Sequence, residues 1–203
     1  MDFKKHLERG WQNTLEFIGP VILLTFVQVL ATIVSLGILG PVTAAGYMKS
    51  LLLAAREGRT PDVKDVFSEM SLFLPLLGFS LVVMIAIGIG FMFVIIPGFI
   101  LSALAIFACL YMLPLMVDRR LGTIDALKSS WEMANRKPIA DQAIITIIYV
   151  ALLSIGGSIG GFGILVTQPL ATFIVLSVYQ ERLASSQTAA KVQSPPPPPP
   201  PVH

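Results

Sequence analysis

Two histidines, one cysteine and twelve acids are the side chains of this sequence best suited to general acid–base catalysis, thiol attack or metal binding. Each of those chemistries needs several such groups converging on one point. His6 stands in an N-terminal segment and His203 is the last residue, so neither metal-ligand spacing nor a histidine base follows. Cys109 lies inside an apolar run and has no second cysteine to pair with, so it reads as a small buried apolar side chain. The glycine cluster Gly156, Gly157, Gly160, Gly161 and Gly163 lacks the lysine of a phosphate loop. Gly156 with Gly160, and Gly157 with Gly161, have instead the small-xxx-small spacing of closely packed helices. The expectation is a protein that is not an enzyme, with no cofactor and no metal.

Two other sets of residues carry more. Arg119, Arg120, Arg136 and Lys137 fall beside the ends of apolar stretches, at the depth of lipid headgroups, and Trp131 can seat the segment between them in the interface. These five are candidate lipid-headgroup contacts; the same charges also serve simply to fix orientation during insertion. Gln28 and Gln168 sit within apolar stretches, where a carboxamide needs partners, and Pro169 frees a carbonyl one turn earlier. They are candidate intramembrane polar sites, either as interhelical hydrogen bonds or as the lining of a solute path.

The elements that hold these residues follow from the solvent. Charged residues make up 13% of the chain and mean hydropathy is +0.80, against about 25% charged residues in an ordinary soluble domain. The charges cluster between long uncharged stretches, and a net charge of +2 without aromatic-and-basic interleaving gives no reason to expect nucleic acid. The first stretch, Phe17 to Leu39, has 23 residues and exceeds a signal-peptide core, so it reads as a retained span. Leu72 to Val117 is uncharged for 46 residues, about twice one crossing, and its break is expected at Pro97-Gly98. Gln142 to Gln180, 39 residues, is likewise a pair, turning in the glycine cluster.

Gly40 to Ala55 is interrupted by Lys49, and charge placement decides its role. With a short second span from about Leu36 to Ala55, every lysine and arginine except Lys49 falls on one face. Without that span Lys4, Lys5 and Arg9 are stranded on the other. The expected architecture is therefore an all-α polytopic transmembrane bundle of six spans in three helical hairpins, with short interfacial helices. The spans cover about 15–36, 38–55, 72–96, 98–117, 140–160 and 163–180, within a membrane domain of residues 1–183. Residues 184–203, ending in the seven prolines Pro195 to Pro201, read as a disordered Pro-rich cytoplasmic tail.

Each pair of spans follows an amphipathic segment: Phe3 to Ile18, then Val63 to Met70 with its cap in Thr60-Pro61-Asp62, then Ile124 to Ala134 with Thr123 as cap. Tyr47-Met48, Leu51, Arg56 and Gly58 also align with Tyr111-Met112, Leu115, Arg120 and Gly122, consistent either with a parallel repeat or with convergence on similar caps.

The ordered set Gly10-Trp11, Gly40-Pro41, Gly46-Tyr47, Asp65-Val66-Phe67, Ile95-Ile96-Pro97-Gly98, Pro114, Val117-Asp118, Leu121-Gly122, Asp125 to Ser130, Val166 to Pro169 and Tyr179 resembles a family of bacterial polytopic integral membrane proteins. That family is related to the membrane domain fused to some glycerophosphodiester phosphodiesterases. The resemblance implies the topology and supplies no catalytic residues. The expected function is to bind membrane lipid, or a membrane-protein partner or second copy, from the cytoplasmic face of the inner membrane, with both termini cytoplasmic. A transporter or channel component for a neutral or weakly charged solute is the alternative.

Overall fold

The computed structural model describes the backbone of residues 2–193 apart from 94, 137 and 160, and the side chains of these apart from 93, 95–97 and 186–193. Lys137 and residues 194–203, with the proline run, lie outside the described residues. Every regular element within them is helical.

Helix α1, Phe3–Glu16, is capped by Asp2, whose carboxylate accepts from the Lys5 N–H at 3.2 Å. Helix α2, Ile18–Val34, follows after one residue at an angle of 89°. The chain reverses through Leu36 and Gly37, both at positive φ, into α3, Gly40–Glu57, where Pro41 occupies the first turn. A left-handed Gly58 ends α3. Two 3-10 segments, Val63–Phe67 and Met70–Leu72, replace the amphipathic helix expected there, and the first is capped by Asp62 rather than Thr60.

Helix α4, Phe73–Phe93, then leads into α5, Ile95–Cys109, and α6, Met112–Arg119, with Arg120 in the left-handed region at φ 54°. Next come α7, Thr123–Ala134, α8, Ile139–Ser158, and α9, Ile164–Gln193. Gly122, not Thr123, is the N-cap of α7, and the Thr123 hydroxyl is buried without a hydrogen-bond partner. Helix α9 runs on through residues 184–193, where the sequence suggests the start of a disordered tail.

Four helical stretches are long and apolar enough to cross a membrane: Val63–Met92, Gly98–Arg119, Ile139–Ser158 and Ile164–Ser185. A fifth is added if the bent pair α1 and α2 counts as one. The protein is thus all-helical with several membrane-competent helices. Helix α3, the expected second span, is not among them, and packing explains why. Ten of its 18 residues are buried, including Thr43, Tyr47, Ser50 and Leu51, whereas 6% of the apolar window of Val63–Met92 is buried. A helix enclosed by other helices has little need of an apolar exterior. The exposed large apolar residues, such as Leu23, Phe26 and Leu30 on α2, Val82 and Met84 on α4 and Ile147 on α8, form the surface suited to acyl chains.

The glycines report where helices meet. Gly98 lies in the first turns of α5 rather than in a left-handed hairpin turn, and proline is tolerated beside it because N–H groups there have no intrahelical partner. The missing Cβ of Gly98 makes room for the Phe91 ring, and Gly90 approaches the Gly98 Cα across the same contact. In the second glycine cluster the positive φ belongs to Gly161. Close approach joins Gly156 to Gly163 and Thr167, while a Cβ on Gly157 would meet nothing within 4 Å. Close approach is thus found at Gly156 and not at Gly157, and Gly160 lies outside the described residues. The buried core is centred where α3, α6 and α9 meet, on Tyr47, Leu51, Tyr111, Leu115, Phe173 and Tyr179.

Candidate functional site

The polar chemistry of the molecule is gathered beside that core. It starts at Gly46, whose lack of a side chain lets the carbonyls of Asp65 and Val66 rest against α3. This close approach sets the first 3-10 segment along α3, so Ser50 Oγ bonds Asp65 Oδ2 at 2.7 Å and Arg59 pairs with the same carboxylate. Four residues further on, Glu69 is 1% exposed and lies between Lys49 Nζ at 2.6 Å and Arg120 Nη1 at 2.7 Å. Burial of a carboxylate is costly unless it is paired, and here two cations from distant parts of the chain surround it.

Arg56, at the end of α3, donates through both terminal nitrogens to Asp118, with Nη2 at 2.9 Å from Oδ2. That hydrogen bond is the largest cause of the raised pKa of Arg56. Tyr179 of α9 donates to the same Asp118 at 2.8 Å, and its ring stacks on Tyr111 with centroids 6.4 Å apart. Tyr111 in turn donates to the fully buried Gln142 at 2.7 Å, and Arg182 lies over its ring while reaching the Met133 carbonyl. Ser130 mends the break between α5 and α6: its hydroxyl donates to the Ala108 carbonyl at 2.5 Å and accepts from the Tyr111 N–H at 3.2 Å. On the far side of α9, His6 sits between Ser177 at 2.8 Å and Glu181 at 3.1 Å. These contacts draw α1, both charged loops and the later part of α9 to one end of the bundle.

The candidate residues separate. Arg119 is 43% exposed and, with Arg56, Asp118, Gln180, Leu183 and Ala184, lines an open cleft of about 550 Å3. Arg120 is drawn back onto Glu69. Arg136 is exposed and engaged in an interaction, and Lys137 lies outside the described residues. Trp131 is 43% exposed and meets Phe107 edge-on at 6.3 Å. Beneath α7, an apolar groove of about 230 Å3 runs between α4 and α5, lined by Phe79, Val83, Leu101, Leu104 and Ala108 and roofed by Leu127. Gln168 Nε2 donates to Gln28 Oε1 at 2.5 Å, so one hydrogen bond joins the two carboxamides between helices.

Glu69, Asp65, Asp118 and Arg182 were not singled out by the sequence as interior groups. A signal was nonetheless present in the aligned pairs Tyr47/Tyr111 and Arg56/Arg120: Tyr111, Arg56 and Arg120 take part in these contacts, while Tyr47 meets the Thr25 hydroxyl at 3.2 Å apart from them. Compared with protein-family models, curated proteins and solved structures, the chain matches none.

Proposed function

We propose that this chain is a six-span protein of the cytoplasmic membrane, with both ends in the cytoplasm, that binds anionic phospholipid through its charged end without catalysing a reaction. The observation that carries the lipid reading is the relation of α7 to the groove below it. Leu127 roofs an apolar channel between α4 and α5, Trp131 is exposed against Phe107, and Lys128 and Arg136 stand exposed on the same stretch. An acyl chain fits the groove, and its headgroup then meets the basic residues, where each cation contributes about 1 kcal/mol before screening. The two glutamines that motivated a solute path are joined by a hydrogen bond, which favours the packing role for them. Kinship with the bacterial membrane family rests on the sequence motifs alone.

Parity supports an even number of crossings. His6 touches Ser177 and Glu181, and Arg56 touches Asp118, so the N-terminal helix and the later part of α9 share one end. An odd number of crossings separates those groups. The choice between four and six rests on α2 and α3, which at 17 and 18 residues are about 26 and 27 Å long at 1.5 Å per residue, close to a hydrocarbon core of about 30 Å. In a chain carrying Cys109→Ala, an impermeant maleimide is expected to label Ile38→Cys and Glu57→Cys from opposite faces of sealed vesicles. Labelling of both from one face makes α2 and α3 a re-entrant pair and reduces the count to four.

For lipid binding, Trp131→Ala with Arg136→Gln is expected to lower co-purified anionic phospholipid several-fold, measured by mass spectrometry at matched folded yield. The single change Trp131→Ala should also expose the α7 loop to protease. An unchanged lipid complement in the double variant rejects lipid binding at α7.

A further inference from the structure

We propose that the cleft between the ends of α3 and α6 and the flank of α9 binds a phosphate monoester group. Its charge balance is favourable: Arg56 and Arg119 line it against the single acid Asp118, and that acid is already occupied by Arg56 and the Tyr179 hydroxyl. Asp118 therefore acts as a tether. It holds the Arg56 guanidinium by two of its N–H groups and leaves the remaining donors of the fork available. Arg119 stands with Nε 3.8 Å from Asp118, too far for a hydrogen bond, and its side chain is 43% exposed.

Gln180 adds a third donor. It lines the same cleft, and its Nε2 is buried with no hydrogen-bond partner. A buried donor left unpaired is costly, and an acceptor bound in the cleft would relieve that cost. The three donors arrive from three separate helices. Convergence from three directions suits the tetrahedral oxygens of a phosphate better than the two coplanar oxygens of a carboxylate, and arginine forks suit phosphate in particular. Leu183 and Ala184 supply an apolar wall, and a volume of about 550 Å3 leaves room for an organic group attached to the phosphate. The residues differ from those around the α7 groove, so this site stands whether or not lipid binds there.

The test uses the full chain in detergent micelles with radiolabelled inorganic phosphate as probe, at constant ionic strength in chloride. Saturable binding is expected, weakened at least tenfold by Arg119→Gln and several-fold by Gln180→Leu, and unchanged by Lys64→Gln, an exposed cation away from both sites. Arg119 is a surface side chain, so its variant should keep the elution volume of the folded protein. In nanodiscs, displacement of phosphate by phosphatidic acid, but not by phosphatidylcholine, identifies the source as a lipid headgroup. Retention of phosphate in both identifies a soluble monoester. Absence of saturable binding over chloride, or equal loss in the Arg119 and Lys64 variants, overturns the site.

Discussion

Gly46→Ala is expected to lower folded yield and thermal stability sharply, by about 2 kcal/mol net. The added Cβ would overlap the carbonyl oxygens of Asp65 and Val66 and lie 2.6 Å from the Val66 carbonyl carbon. Backbone cannot rotate away as a side chain can, so the 3-10 segment must move as a body. Forcing extra volume into a packed site costs about 1–3 kcal/mol or more, and here the displacement also pulls Asp65 from Ser50 and Glu69 from Lys49. The better helix propensity of alanine returns up to about 1 kcal/mol. Gly157→Ala in α8 and Gly78→Ala in α4 are the controls, because a Cβ at either position meets nothing within 4 Å. Those two should be neutral or mildly stabilising in a detergent melt. Equal tolerance at all three positions would show that the 3-10 segment does not rest on α3.

The second large effect belongs to Glu69. Changing Lys49 and Arg120 together to methionine leaves a carboxylate of 1% exposure without either cation, at an expected cost of about 3–5 kcal/mol. Arg120→Met alone should cost about 1 kcal/mol or less, because Arg120 is 61% exposed and exposed pairs are worth little. Adding Glu69→Met to the double variant should recover most of the loss, since replacing all members of a buried ionic group by apolar residues is often neutral. Melts of the single, double and triple variants test this. A double loss no larger than the sum of the singles, or a triple variant no better than the double, would remove the idea that Glu69 is held by its two cations.

Both effects concern the part of the molecule that was least legible in the sequence. The class was written in composition and order: uncharged stretches of 46 and 39 residues can be read one residue at a time, because hydropathy reports the solvent each residue meets. The amphipathic segments at Phe3 and Thr123 fold as helices for the same reason, since their apolar period is local. Segment 63–70 had the same period but forms 3-10 turns, because its position is set by docking of its backbone on Gly46 rather than by its own propensity.

The glycines show the limit of local reading. Gly98 has the sequence context of a turn and lies inside a helix, because its function is to admit Phe91 from α4. The partner of Gly156 is Gly163, across a turn that Gly161 makes. Spacing identifies residues able to approach closely but does not identify what approaches them.

By itself, then, the sequence determined an all-helical protein with several helices apolar enough to cross a membrane, the positions of most of those helices, and the separation of charged loops from apolar stretches. Tertiary structure alone decided which charges are spent inside and which face outward. Arg119 and Arg120 are adjacent and chemically identical, yet Arg120 enters a left-handed cap and reaches back 51 residues to Glu69, while Arg119 opens onto a cleft. The difference arises because the pairing energy of a charge depends on distances of a few ångströms to groups brought near only by folding. Neighbours in sequence share composition but not surroundings.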